Sequence, residues 1–218
     1  MKVAQLAPGL WHWVARHPDW TPEDRGPDGW EPEVSCYALV EDGELVLFDP
    51  LVPDDAEERF WRALDEDVHA HGPPQVLLTV YWHARSSQRI LDRYEGSRVW
   101  VPDVAEDKLR ERTDYTDVFS PGSSLPARVE ARATVYREEV VFWLAGHRAL
   151  IAGDVLLGTP QGGLRPCPVS WRPGDVTRER FHSALRPLLE LPIELVLLAH
   201  GEPVLSHAHS ALAAILRT

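Results

Sequence analysis

Short apolar runs bounded by glycine, proline and aspartate recur along this sequence, and they constrain its fold more than any other feature. Such runs are typical of strands in sheets that are covered on both faces. Between some of them, apolar residues recur at helical spacing, as at Phe60, Leu64 and Val68. The order of elements predicts an α/β (α+β) fold in which two sheets pack together and helices cover their outer faces. The predicted strands are 36–40, 45–48, 76–79, 99–101, 128–134, 140–144, 149–152 and 194–198.

Local signals add detail to this prediction. The Asp42-Gly43 pair between the first two of these strands is a hairpin signal. Asp54 with Glu57 resembles a helix-capping pair, and Ser206 is positioned to cap a final helix. Residues 11–13, Trp-His-Trp, alternate as a strand does and are predicted to form a sheet edge with one aromatic face.

Two regions rich in proline and glycine are predicted to be loops, 18–32 and 159–174. Long loops on a rigid scaffold often carry function. Trp20 and Trp30 lie in the first loop and Trp171 in the second. We expect these side chains to form either a pocket wall or the surface of a homodimer, because exposed aromatic patches often mark interfaces.

Length and charge limit the classes of function. A chain of 218 residues suits one domain, predicted over 1–218. Its net charge of -12 would repel phosphate backbones and anionic lipids, so we predict no nucleic-acid or membrane partner. The first residues carry no continuous apolar stretch, which predicts no secretory signal. Cys36 and Cys167 are too few for a disulfide framework, and two free thiols predict a cytoplasmic location.

Three segments, in this order, resemble the metallo-β-lactamase (MBL) superfamily. Segment 35–50 is similar to its opening hairpin, which ends in a structural aspartate, here Asp49. Segment 150–156 is similar to the strand that ends in Gly-Asp, where the aspartate, here Asp154, bridges two metal ions. Segment 196–201 is similar to the late strand that ends in a metal-binding His-Gly, here His200. The resemblance implies a four-layer αββα sandwich.

The defining motif of that superfamily, Thr followed by His-x-His-x-Asp-His, is absent. Zinc is held by neutral imidazoles and carboxylates, and a catalytic site keeps one position open for water. In register on Thr79, none of the four ligand positions carries a ligand, and a further family histidine falls near Val135. The four positions are occupied by Val80, Trp82, Ala84 and Arg85. The resemblance therefore implies a degenerate site that cannot hold two ions.

The residues that remain allow three interpretations. Asp154 and His200 could persist as buried supports while Trp82 fills the former cavity. Arg85 could replace one metal charge and pair with Asp154, because a guanidinium matches a carboxylate. One zinc ion could be held instead by Asp154 and His200, together with His83 if its side chain swings across from its position one residue out of register.

We predict a non-catalytic or repurposed relative of the MBL hydrolases that binds a small molecule or a protein, with no cofactor. The alternative is a hydrolase that works with one metal ion or none. The candidate catalytic residues are His83, Asp154 and His200, and the candidate ligand-binding residues are Asp49, Trp82 and Arg85.

Overall fold

The computed structural model describes residues 2–114 and 117–217. The strands are β1 Val3–Ala7, β2 Leu10–Arg16, β3 Glu33–Glu41, β4 Glu44–Phe48, β5 Gln75–Leu77, β6 Arg98–Pro102, β7 Asp117–Phe119, β8 Glu130–Ala133, β9 Val140–Leu144, β10 Ala149–Ala152, β11 Leu156–Gly158, β12 Leu164–Pro166 and β13 Leu195–Leu198. The helices are α1 Glu57–His71, α2 Ser87–Arg93, α3 Glu106–Leu109, α4 Arg178–Leu185 and α5 Ala208–Ile215. None of these helices is long and apolar enough to cross a membrane.

The strands form two sheets and a short ribbon. In the first sheet the order follows the chain from β1 to β7, with antiparallel pairing up to β4 and parallel pairing beyond it. In the second sheet the order is β13-β10-β9-β8, and β13 runs parallel to β10. Strands β11 and β12 pair with each other.

Three apolar clusters fill the spaces between layers. One cluster lies between the two sheets and includes Tyr37, Phe48 and Phe142. A second joins the outer face of the first sheet to α1, α2 and α3, and a third joins the second sheet to α4 and α5. The result is the predicted αββα sandwich, in which each sheet buries both faces.

Most predicted elements are confirmed, and three local predictions are wrong. The hairpin forms as predicted, with Asp42-Gly43 at positive φ. However, α1 begins at Glu57 after a 3-10 turn, so Asp54 does not cap it. The last helix is preceded by His207 in the left-handed region and is not capped by Ser206. Strand β2 is not an edge, because β1, which carries no clear sequence signal, pairs with its outer side.

The topology brings several strand ends to one rim of the sandwich. Asp49 follows β4, Thr79 follows β5, Asp154 follows β10 and His200 follows β13. Two isolated β-bridges join the sheets there. One links Val34 to His200, and the other links residue 80, which follows Thr79, to residue 139 before β9. Rim loops of this kind are where sites lie on a rigid scaffold.

Candidate metal and ligand site

Asp49 organises the floor of the candidate site. Its side chain is almost fully buried, and its φ of 46° lies in the left-handed region, which L residues rarely adopt. Oδ1 accepts the backbone N–H of Thr79 at 2.8 Å, and Oδ2 accepts the Thr79 hydroxyl at 2.5 Å. Oδ2 also lies 2.9 Å from Nδ1 of His83. The carboxylate therefore fixes both the turn after β5 and one nitrogen of the His83 ring.

The ring of His83 reaches the other side of the site through Nε2. Residues 81–84 form a 3-10 turn rather than an extended segment, so the side chain of His83 is directed back over the floor. Its Nε2 lies 3.2 Å from Oδ1 of Asp154, and Nε2 of His200 lies 3.2 Å from the same oxygen. The predicted swing of His83 is thus produced by the shape of the turn.

These three side chains form a set with the chemistry of a single metal site. Their ligand atoms all lie within 4.8 Å of one another. Two ligands at about 2.1 Å from one ion and at a tetrahedral angle lie about 3.4 Å apart, which is close to the observed 3.2 Å separations. Neither contact has hydrogen-bond geometry, and Oδ1 of Asp154 is buried without a hydrogen-bond partner. The residues present fit one ion.

The same residues do not fit two ions. Val80 is fully buried and bridges to Glu139 through its backbone, and Ala84 is buried as well. Trp82 donates its indole N–H to Oδ2 of Asp154 at 2.7 Å. The second carboxylate oxygen of Asp154 is therefore already used. The prediction that Trp82 fills the former cavity is only partly right, because its side chain lies at the cavity wall and is 37% exposed.

Arg85 does not pair with Asp154, so that prediction is wrong. Its Nη1 donates to the backbone oxygen of Asp49 at 2.9 Å and lies 3.9 Å from the sulfur of Cys36. The backbone of Arg85 explains this direction, because its φ of 40° and ψ of -107° turn the side chain toward β3 and β4. A non-glycine residue in this region is strained, and such strain clusters at functional sites.

The pKa values of the two site histidines, His83 and His200, are shifted in opposite directions. Burial and Arg85 both lower the pKa of His83, but Asp154 and Asp49 outweigh them and raise it to about 9. Burial lowers the pKa of His200. For Asp154, burial raises the pKa, but His83 and His200 hold it well below its usual range. Asp154 is therefore ionised, and His200 offers a neutral imidazole.

Glu139 is a buried carboxyl beside the site that sequence reasoning missed. Its Oε1 accepts the backbone N–H of Val155 at 2.7 Å, and the side chain is 2% exposed. Burial, followed by the charge of Asp154, raises its pKa to about 8. Only its place directly before β9 could have marked it, since a single charged residue at a strand start carries no functional signal.

A cavity of about 690 Å³ opens over the three side chains. Trp30 and Trp171 line it, and their rings lie 5.0 and 6.2 Å from that of His200, both edge-on. Trp30 and Trp171 thus form a pocket wall, one of the two predicted alternatives, whereas Trp20 is not among the lining residues and the homodimer stays a prediction. His17 also lines the cavity. Sequence reasoning missed His17, whose only signal is its position just before a long loop.

A second cavity of about 670 Å³ lies on the other side of Trp82 and Trp171. Its lining includes Glu139, Tyr136 and Cys167, and the Tyr136 hydroxyl lies 3.1 Å from the Cys167 sulfur. Asp154 borders both cavities. The candidate metal site therefore lies at the boundary between two open spaces.

Comparison with known proteins supports the fold. No protein-family model and no curated protein matches the sequence. Among solved structures, the chain is similar to a metallo-β-lactamase from Pontibacter korlensis, with a TM-score of 0.70, 12% identity and coverage of 100% of this chain and 99% of that one. It is similar to a metallo-β-lactamase from Hirschia baltica, with a TM-score of 0.69, 13% identity and coverage of 99% and 97%.

A metallo-β-lactamase family protein from Thermus thermophilus is also similar, with a TM-score of 0.67, 17% identity and coverage of 98% of this chain and 80% of that one. These matches span nearly the whole chain. The chain therefore has the metallo-β-lactamase fold, as its three sequence segments predicted.

Proposed function

We propose that this protein is a hydrolase of the metallo-β-lactamase fold that works with a single divalent ion, held by His83, Asp154 and His200. The observation that carries the proposal is the convergence of both Nε2 atoms on Oδ1 of Asp154 at 3.2 Å without hydrogen-bond geometry. Buried polar atoms are nearly always hydrogen-bonded. A metal ion bound between Oδ1 of Asp154 and the two imidazoles would explain why this buried oxygen has no hydrogen bond.

The donor set supports a catalytic rather than a structural ion. Two imidazoles and one carboxylate resemble the three-ligand sites of hydrolytic zinc enzymes, which keep a position open, whereas structural sites are closed by four protein ligands. The cavity borders all three residues. A divalent ion there would supply Lewis acidity and lower the pKa of a coordinated water.

The remaining residues of the site hold the ligands in place. Asp49 accepts from Nδ1 of His83, so Nε2 of that ring would act as the ligand once an ion displaces its proton. Trp82 holds Oδ2 of Asp154, which directs Oδ1 toward the two imidazoles. Trp30 and Trp171 pack edge-on against His200 and restrict its ring, whose Nδ1 is buried without a partner.

A metal-free binding protein is the second candidate. One arrangement favours it: His83 lies between two carboxylates, at 2.9 Å from Asp49 and 3.2 Å from Asp154. A protonated imidazole between two carboxylates is an ion-paired arrangement that needs no metal. In this case the cavity would bind a ligand without hydrolysing it.

Metal content measured on protein without a histidine tag separates the two candidates. The protein is offered zinc, manganese and iron(II) in excess, dialysed, and analysed by elemental mass spectrometry. We expect close to one ion per chain in the wild type and near none in His200→Ala and His83→Ala. The exposed His69 is the matched control, and His69→Ala should retain the ion.

Each result has one meaning. One ion that is lost in both site variants, together with ester or thioester hydrolysis that follows the ion content, supports the hydrolase. Retention of no ion by correctly folded wild-type protein refutes it and leaves the metal-free candidate. Two ions per chain would refute both.

We also propose a cytoplasmic location. The two cysteines are both buried and unpaired, as is usual where thiols are kept reduced. Fractionation of the source cells, followed by detection of the protein with an antibody, tests this proposal. Recovery in a secreted or periplasmic fraction would refute it.

A further inference from the structure

The charge of the cavity over His83, Asp154 and His200 differs from that of the whole chain. The chain has 34 acidic and 22 basic side chains. The lining of the cavity, in contrast, contains four arginines, namely Arg16, Arg85, Arg89 and Arg112. Its acidic lining residues are Asp19, Asp54 and Asp154. Arginines therefore outnumber carboxylates by four to three in this cavity, the reverse of the chain as a whole, which favours an anionic ligand.

Three of these arginines have no carboxylate within 4.0 Å among residues 2–114 and 117–217. The guanidinium of Arg16 lies 5.2 Å from the centre of the Trp20 ring, and that of Arg112 lies 5.4 Å from the centre of the Tyr81 ring. Arg85 donates to a backbone oxygen, and its Nε is buried without a hydrogen-bond partner. Arg89, in contrast, is paired with Glu57. Arg16, Arg85 and Arg112 therefore remain able to bind an anion.

His17 adds a neutral donor to the lining of this cavity. Burial, followed by the charge of Arg85, lowers the pKa of His17 to about 4. Its Nδ1 accepts the backbone N–H of Asp19 at 3.3 Å, so in the neutral ring Nε2 carries the hydrogen. A neutral imidazole of this tautomer can donate to an oxyanion without adding charge.

Apolar and aromatic side chains also line the cavity. Trp30 and Trp171 lie edge-on around His200, Trp30 also packs against the His17 ring at 5.1 Å, and Leu51 and Val52 complete the apolar lining. A volume of about 690 Å³ is within the range of small-molecule sites. The cavity therefore combines cationic and aromatic side chains.

We propose that this cavity binds a small organic anion. Its carboxylate or phosphate is bound by Arg85 and Arg16 with a hydrogen bond from His17, and its apolar body packs on Trp30 and Trp171. The inference rests on the proposed hydrolase function only in naming this anion as the substrate. Binding itself needs no ion, since the guanidinium groups are part of the chain.

Isothermal titration of metal-free protein with benzoate, phenyl phosphate and uncharged benzamide tests the proposal. The protein is stripped with EDTA, dialysed, and checked by elemental analysis. We expect at least one of the two anions to bind roughly tenfold or more tightly than benzamide. Arg85→Gln should weaken its binding by a similar factor, and Arg16→Gln should do so to a smaller extent, because each variant removes a charge-assisted contact. The exposed Arg59 of α1 is the control, and Arg59→Gln should bind as the wild type does.

The outcomes separate this inference from the proposed function. Binding of an anion to the stripped protein that depends on Arg85 supports the anion site, and if the separate metal-content measurement on untreated protein finds no ion, the anion site stands while the hydrolase is refuted. Anion binding that requires an added ion and is unchanged in both arginine variants overturns the anion site and leaves the hydrolase standing. Equal binding of benzamide and the anions also overturns the anion site. So does the absence of heat with every probe up to about 10 mM, which corresponds to a binding free energy weaker than about 3 kcal/mol.

Discussion

Trp82 donates its indole N–H to Oδ2 of Asp154 at 2.7 Å, and this bond gives the two carboxylate oxygens different partners. Oδ2 is held by the indole, while Oδ1 lies 3.2 Å from the Nε2 atoms of His83 and His200. A bridging aspartate would give its two oxygens to two ions. Here the indole N–H occupies one of these oxygens, so the carboxylate has only Oδ1 left and could ligate at most one ion.

The variant Trp82→Phe tests this role. It removes the donor but keeps an aromatic ring, so the carboxylate of Asp154 becomes free to rotate, and Oδ1 is no longer held toward the two imidazoles. We expect the affinity for zinc to fall roughly 10- to 100-fold, as is usual when an outer-sphere partner of a metal ligand is removed. Competition with a chromogenic chelator measures this affinity.

Trp61→Phe is the matched control, because Trp61 donates to Glu57 on the outer helix α1 and does not line the cavity over the three candidate ligands. An unchanged zinc affinity in Trp82→Phe would show that the indole has no positioning role. A fall in both variants to the same extent would point to a general loss of stability instead.

Asp49→Asn should disturb both stability and ion binding. The carboxylate accepts from the backbone and hydroxyl of Thr79 and from His83, and an amide can no longer accept from all of them. We expect a loss of about 1–3 kcal/mol in the free energy of unfolding, the usual cost of leaving a buried donor unsatisfied. Urea denaturation of metal-free protein measures it.

The ion should respond to Asp49→Asn for a different reason. An amide N–H facing Nδ1 of His83 favours the tautomer with hydrogen on Nε2, and this tautomer cannot ligate an ion. We therefore expect zinc affinity to fall at least as far as in Trp82→Phe. The exposed Asp92 provides the control, and wild-type zinc affinity in Asp49→Asn would contradict the tautomer argument.

The sequence predicted those parts of the site that follow from strand order. Asp49, Asp154 and His200 each lie within two residues of the end of a strand, so their common rim could be derived from the sequence alone. The position of His83 could not. A register argument treats 79–85 as extended, whereas the chain turns through a 3-10 turn at residues 81–84, and the ring arrives from the other side.

The direction of Arg85 and the role of His17 were beyond sequence reasoning for a similar reason. The φ of 40° at Arg85 is imposed by its surroundings, with Ser86 donating its N–H to Pro50 and accepting from Val52 through its hydroxyl. His17 depends on how a long loop lies over the rim. Both are tertiary effects that override local preference.

Gly153→Ala tests how tightly the floor of the site is packed. A Cβ at this position would lie 2.5 Å from Oγ1 of Thr79 and 3.0 Å from Oε1 of Glu139. Thr79 cannot yield easily, because its hydroxyl is bonded to Asp49. We expect a destabilisation of about 1–3 kcal/mol, typical of overpacking, measured by urea denaturation. In the loop residue Gly174 an added Cβ meets nothing within 4 Å, so Gly174→Ala should be nearly neutral. Equal stability of the two variants would contradict this packing.

The pH dependence of stability should contain a contribution from His17. Its pKa in the folded protein is about 4, below the ordinary value of 6.5. Between these values the unfolded chain binds more protons at this residue than the folded chain does. The stabilisation linked to neutral His17 is therefore fully present above pH 6.5 and is lost progressively as the pH falls toward 4.

His17→Gln removes this titration while keeping a polar side chain. We expect the metal-free wild type to lose stability more steeply than the variant between pH 6.5 and 4, by an amount that corresponds to at most one proton. Urea denaturation at half-unit pH steps gives both curves, and their difference cancels the titration of the other groups. His69→Gln, at an exposed helical position, should follow the wild type. Parallel wild-type and His17→Gln curves would mean that neither burial nor the charge of Arg85 shifts the pKa of His17 in the folded protein.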